Sequence, residues 1–221
     1  MKHKRAKNLE DAVSHLRDGA TVLVGGFGMG GVPEVLIEGI CGRGLRGLTI
    51  VNNNAGTGRQ GIARLLEEGC VGKMICSFPF ARESVVFREM YEAGQVDLEV
   101  VPQGTMAERM RNAGAGLGGF LTPTGVGTEI AEGKPEVEVD GKRYIMEKPL
   151  RGDFALIKAH KVDPRGNLVY RMAARNFNPV MAMAADFTIA EVAEEVEMDG
   201  LDPECVVTPG TYVDCYHVTG G

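Results

Sequence analysis

Residues 21–33 read TVLVGGFGMGGVP. A β-branched run feeds five glycines in seven positions, and Val32-Pro33 closes the stretch. Thr21–Val24 has the make-up of a buried strand, and Pro33 suits the first turn of the helix that follows. The stretch is therefore a strand–loop–helix unit. Gly26-Phe27-Gly28-Met29-Gly30-Gly31 fits the G-x-G-x-x-G pattern of dinucleotide loops. Two features argue against that assignment. A dinucleotide fold ends its second strand on Asp or Glu to hold the ribose, whereas here Leu48–Val51 runs into Asn52-Asn53-Asn54. The helix also starts later, beyond Val32-Pro33. Glycines allow positive φ and let backbone N–H groups approach a ligand closely. The expectation is an anion or acyl cradle at a helix N-terminus. A bare strand–helix turn is the alternative.

The same alternation continues outward. Strands are expected at 48–51, 73–77 and 98–102, and helices near 60–68, 82–93 and 105–113. Four βα units in a row imply a parallel sheet covered by helices. Residues 114–128 are glycine-rich and are expected to form a long ordered loop. PEVEVDGKRYIME then carries Asp140-Gly141 between two alternating runs, a hairpin signal. Further strands are expected at 153–160, in the LVYR run, and at the start of 186–197. Residues 205–218 are expected to form a β-rich tail. The fold class is α/β: a mostly parallel sheet flanked by helices, with a small antiparallel hairpin excursion. One domain is expected to span residues 1–221.

Composition narrows the functions. The chain has 221 residues, 44% hydrophobic and 24% charged, with a net charge of −6. A negative chain does not attract a phosphate backbone by bulk charge, so no nucleic-acid partner is expected. No run approaches the length of a membrane span, and the basic N-terminus lacks an apolar signal core. A cytoplasmic protein with no membrane partner is expected. The five cysteines form no C-x-x-C pair, so reduced, mostly buried thiols are expected rather than disulfides or zinc.

The chemical inventory is thin. The three serines lie outside any G-x-S-x-G elbow, and no Gly-Lys pair precedes Ser or Thr. The four histidines are scattered, so no metal site is expected. Either a plain carboxylate reacts, or the reacting group lies on another chain.

Asp18-Gly19, Val22-Leu23-Val24, Gly25-Gly26-Phe27, Gly31 and Pro33 together resemble the N-terminal signature of the A-type subunit in family I coenzyme A transferases. Further blocks fall in the family's order: Asn53-Asn54-Ala55-Gly56, Val101–Thr105 with Ala107-Glu108-Arg109, Thr122–Thr128, Gly166-Asn167-Leu168, Ala174–Pro179 and Thr208-Pro209-Gly210. Cys76-Ser77-Phe78-Pro79, with Phe87 and Tyr91, is most similar to the 3-oxoadipate branch. Acetate or butyrate transferases are the alternative within the family. A sugar-phosphate isomerase-like enzyme or a nucleotide sensor using the glycine loop are alternatives outside it.

The resemblance implies a mechanism. A glutamate carboxylate attacks an acyl-CoA thioester, giving a mixed anhydride. CoA thiolate then returns to form a glutamyl-CoA thioester, and the acceptor acid reverses the steps. In this family the glutamate lies in a Glu-Asn-Gly block of a second, B-type subunit. No such block occurs here. No catalytic residue is therefore expected on this chain. It is expected to work with a B-type CoA-transferase subunit in a hetero-oligomer, α2β2 or higher, on acyl-CoA and carboxylic acid substrates, with CoA as substrate and no permanently bound cofactor. The resemblance implies CoA or acyl contacts from Gly25, Gly26, Phe27, Gly28, Met29, Gly30 and Gly31, and substrate contacts from Asn53, Asn54 and Gln103. Asn53 and Asn54 as turn caps, and Gln103 as a helix cap, are the structural alternatives.

Overall fold

A computed structural model describes residues 4–220. Strand β1 (Thr21–Val24) lies at the centre of the main sheet. Val22, Leu23 and Val24 are each fully buried, because both faces of the strand are covered. Side chains alternate across a strand, so Val22 and Val24 enter one apolar core while Leu23 enters the other. Each fully buried side chain of this size contributes roughly 1.5–3 kcal/mol.

From β1 the chain moves outward through β2 (Leu48–Val51), β3 (Val71–Cys76) and β4 (Asp97–Val100). Register pairs Val22 with Ile50 and Ile50 with Met74, all parallel. Helices α1 (Leu9–Val13), α2 (Glu34–Arg43), α3 (Ile62–Glu67) and α4 (Val85–Glu92) alternate with these strands. Leu36, Ile37 and Ile40 of α2 and Leu65 and Leu66 of α3 fill the first core. Helix α2 ends at Gly44, whose φ of 64° is the left-handed cap that glycine adopts without cost.

Helix α5 (Gln103–Gly114) crosses to the other face. Its Met106 and Met110 join Met181 of α6 (Asn178–Ala184) in the second core. The return strands are β8 (Gly152–Val162), β10 (Ala185–Glu195) and β11 (Cys215–Val218). They add to the opposite edge of β1, giving the order β11-β10-β8-β1-β2-β3-β4, all parallel. The short β9 (Leu168–Val169) pairs antiparallel with β8. The order in which strands are added thus reverses between β1 and β8. Open α/β sheets present ligand crevices at the carboxyl ends of strands flanking such a reversal.

A second sheet joins β5 (Phe120–Thr122), β6 (Glu136–Val139) and β7 (Lys142–Glu147) in the antiparallel order β5-β7-β6. Asp140 and Gly141, both at positive φ (51° and 74°), make the turn that the hairpin signal predicts. The hairpin is anchored by charge. Buried Glu147 receives Lys134 Nζ at 2.6 Å and lies 3.9 Å from Arg109, which reaches Glu99 of β4 at 3.2 Å.

Three expectations need correction, and one helix, α6, was not expected at all. The 114–128 stretch is not a continuous loop, because Phe120–Thr122 pairs with β7. In the tail only Cys215–Val218 is a strand, and 3-10 turns occupy Pro203–Cys205 and Gly210–Tyr212. Helix α6 shows no amphipathic period in NPVMAMA, since Val180, Met181, Ala182 and Ala184 are all buried. The thiols are free, but only Cys70 and Cys76 are buried, and Cys205 is exposed.

Candidate functional site

The glycine loop leaves the carboxyl end of β1 at the reversal point. Phe27 and Gly30 exchange both backbone hydrogen bonds, at 3.0 and 3.1 Å, so Gly28-Met29 forms the tip of a tight turn. Gly28 has a φ of 57°, a conformation that a β-branched residue adopts only under strain. The loop's base is pinned from the α6 side. Gly26 N–H donates to Asn176 Oδ1 at 3.2 Å, and Asn176 Nδ2 donates to the Gly30 carbonyl at 2.8 Å. Asn178 Nδ2 donates to the carbonyls of Gly31 and Ala174, while its Oδ1 accepts the Lys158 N–H at 2.9 Å. A Cβ on Gly25 would overlap Asn178 Oδ1, and one on Gly31 would lie 2.6 Å from the Ala174 carbonyl oxygen. These two glycines therefore permit close packing against the 174–178 segment.

The loop's own donors are mostly in use. Gly25 N–H bonds the Leu156 carbonyl at 2.8 Å, and Gly28 N–H bonds Asn54 Oδ1 at 3.0 Å. With Gly26, Phe27 and Gly30 also paired, only the N–H groups of Met29 and Gly31 lack a partner among the described residues. The expected anion site at the helix N-terminus needs correction. Glu191 of β10, buried, accepts the Val35 and Leu36 N–H groups at 2.8 and 3.2 Å and pairs with Lys158 at 2.9 Å. The protein's own carboxylate already satisfies the free N–H groups at the start of α2.

The Asn52–Asn54 turn follows β2 beside the loop. Asn52 fixes it: Nδ2 donates to the Val24 carbonyl at 2.7 Å, and Oδ1 accepts the Asn54 N–H at 2.9 Å. Asn54 Oδ1 also accepts Asn53 Nδ2 at 3.0 Å, so this oxygen takes two donors. Asn54 Nδ2, on a half-buried side chain, bonds nothing among the described residues. Asn53 is completely buried, and its Oδ1 has no partner among the described residues, an unusual state for a buried polar atom.

Gln103 is the first residue of α5, and its exposed amide caps nothing among the described residues. It lines a cleft of about 430 Å³ together with Phe27 of the loop, Arg111, Arg175 and Asn176. Of the expected site residues, Phe27 and Gln103 meet in this cleft, while Asn53, Asn54 and the loop glycines do not line it; Asn54 reaches the loop only through its bond to Gly28. A cleft of this size, lined by the Gln103 and Asn176 amides and by two guanidiniums, suits a small acidic acyl group.

Sequence reasoning left out Asn176, Asn178, Glu191 and Arg175. Glu191 carried a signal: it is the one acidic residue inside the apolar run TIAEVA. The two asparagines sit in a block noted for its order but assigned no task. Among the described residues, no group of three or more His, Cys, Asp or Glu side chains is arranged to hold a metal. No helix among them is long and apolar enough to cross a membrane.

A sequence model of the coenzyme A transferase family matches residues 6–215. The chain belongs to the coenzyme A transferase family. It is 57% identical over 210 residues to the A-type subunit of the 3-oxoadipate CoA-transferase of Acinetobacter baylyi, covering 95% of this chain and 92% of that one. It is 46% identical over 211 residues to the A-type subunit of the succinyl-CoA:3-ketoacid coenzyme A transferase of Helicobacter pylori, covering 96% and 90%. The solved structure of glutaconate coenzyme A-transferase from Acidaminococcus fermentans superposes with a TM-score of 0.86 over 98% of this chain and 76% of that one. At 20% identity that likeness shows the fold alone. The α/β expectation, parallel sheet and hairpin excursion included, holds for this transferase. The isomerase and nucleotide-sensor alternatives find no support.

Proposed function

We propose that this coenzyme A transferase is the A-type subunit of a heteromer that moves CoA from succinyl-CoA to 3-oxoadipate. The observation that carries the substrate choice is the identity of 57% to a 3-oxoadipate transferase, against 46% to a 3-ketoacid transferase, over nearly equal lengths. A partner subunit of the B type supplies the glutamate. Its carboxylate attacks the succinyl-CoA carbonyl and expels CoA thiolate, leaving a glutamyl–succinyl anhydride. The thiolate attacks the glutamyl carbonyl and expels succinate, leaving glutamyl-CoA. The 3-oxoadipate carboxylate then displaces CoA as an anhydride, and CoA thiolate recaptures the 3-oxoadipyl group, freeing the glutamate.

This chain supplies positioning. The Gln103 amide and the free Nδ2 of Asn54 donate to the reacting carboxyl group of the acid. The N–H groups of Met29 and Gly31, with Phe27 beside them, face the thioester end. Gly25, Gly26, Gly28 and Gly30 hold that geometry, and buried Asn53, whose Nδ2 donates to Asn54 Oδ1, orients the Asn54 amide. Fixed neutral donors bind a carboxylate without trapping it as a salt bridge, which leaves it free to react. Phe27 and Phe78 stand 49% and 52% exposed on neighbouring loops, linked through the Gly28–Asn54 bond and the Asn54–Phe78 bridge. That apolar pair supports docking of the partner over the cleft, with α2β2 as the smallest closed assembly. The chain forms one domain, needs no permanently bound cofactor and works in the cytoplasm, where CoA esters and reduced thiols occur together.

The test is an acceptor series. The complex with the partner subunit is assayed with succinyl-CoA and 3-oxoadipate, acetoacetate or acetate. The expected kcat/KM for 3-oxoadipate exceeds that for the other two by about tenfold or more. Preference for acetoacetate or acetate would move the enzyme to another branch.

A further inference from the structure

We propose that Arg175 binds the remote carboxylate of a dicarboxylic acyl group in the cleft, and so sets the preference for dicarboxylic over monocarboxylic acids. This rests on the transferase reading above and deepens it. The lining of the cleft carries two guanidiniums, Arg111 and Arg175, and no carboxylate. Arg111 is partly neutralised by Glu108, at 3.1 Å. Arg175 forms no ion pair and no side-chain hydrogen bond among the described residues. An exposed arginine free of carboxylates, facing a cleft with no negative charge of its own, offers a subsite for an anion.

The placement of Arg175 is fixed rather than loose. It ends the 3-10 turn Met172–Arg175, and the next residue, Asn176, bonds both Gly26 and Gly30. The backbone that carries Arg175 is therefore tied to the glycine loop, and its side chain lines the cleft that Gln103 lines from α5. Succinyl and 3-oxoadipyl groups both carry a second carboxylate, at two chain lengths from the reacting carbonyl. A long arginine side chain with a planar fork of donors accommodates both, and pairs bidentately with either. Acetoacetate and acetate offer no such group.

The competing occupant is a CoA phosphate, which every substrate pair would share. A ping-pong enzyme separates the two, because kcat/KM for the acceptor acid reports only the half-reaction that starts from glutamyl-CoA. Wild-type, Arg175→Gln and Arg175→Lys complexes with the partner subunit are compared with 3-oxoadipate and acetoacetate as acceptors, at fixed succinyl-CoA. In Arg175→Gln, kcat/KM for 3-oxoadipate is expected to fall on the order of 100-fold, chiefly through KM. Acetoacetate should change by no more than about threefold. Arg175→Lys should recover part of the loss, since the charge remains and the fork does not. Equal losses on both acids, or an unchanged 3-oxoadipate value, would overturn the assignment. The wild-type acceptor profile tests the substrate reading by itself, and the variant-to-wild-type ratio tests Arg175. A wild-type complex that turns over no dicarboxylic acid would overturn both.

Discussion

Asn54 Oδ1 accepts the Gly28 N–H at 3.0 Å, so the tip of the glycine loop is held by the turn at the end of the neighbouring strand. Strand order makes this possible: β1 and β2 are adjacent and parallel, so the loops at their carboxyl ends meet. Replacing Asn54 with Ala removes the acceptor for Gly28 N–H and for Asn53 Nδ2 together. The expected cost is about 1–2 kcal/mol in stability. Loop displacement should lower kcat/KM on the order of 100-fold, a larger effect than the stability loss explains. Thermal melts and steady-state kinetics on the assembled complex check both numbers.

Gly25 and Gly28 should respond to very different degrees. A Cβ on Gly25 overlaps Asn178 Oδ1, in a buried place where neither side can retreat. Gly25→Ala is expected to cost about 3 kcal/mol and to lower the yield of soluble protein. A Cβ on Gly28 meets nothing within 4 Å, so Gly28→Ala bears only the strain of its φ of 57°, about 1 kcal/mol. Urea unfolding of the two variants decides between them. Equal destabilisation would mean that the Gly25–Asn178 contact is not tight.

The charged link between the sheets gives a pH prediction. Burial raises the Glu99 carboxyl, but Lys73 at 2.6 Å and Arg109 at 3.2 Å outweigh it and hold the group below its ordinary value of 4.5. A lowered folded-state pKa stabilises the protein above the unfolded value, and that contribution disappears as pH falls through the folded one. Glu99→Gln should therefore be less stable than wild type at pH 7, and the gap should close as the solution is acidified below 4.5. Urea melts across that range measure the gap. A gap that stays constant or widens in acid would contradict the assigned ion pairs.

Most of the parallel half was legible because each strand is a short β-branched run followed by an amphipathic or capped helix. TVLV, LTIV and the Asp140-Gly141 hairpin are local signals, and local signals survive folding. Helix α6 was not legible: NPVMAMA is apolar on every side, so it carries no period to distinguish a buried helix from a buried strand. Within the site, the glycine loop, Asn53, Asn54 and Gln103 could be named from motif blocks. Their relation could not. Whether a glycine N–H faces a ligand or a side chain depends on partners 26 to 150 residues away, such as Asn54 and Asn176. The Glu191 cap on α2 illustrates the point, since it comes from a strand 156 residues beyond Val35.

The central claim is that this chain positions the substrate while a partner chain carries the nucleophile. The complex with the partner subunit is incubated with succinyl-CoA, reduced with borohydride and digested for peptide mass mapping. Borohydride reduces a glutamyl thioester to the alcohol, marking the residue that held CoA. The account predicts one reduced glutamate, on the partner, with every glutamate of this chain unmodified and no transfer by this chain alone. A reduced glutamate on this chain, or full turnover in the absence of the partner, would contradict it.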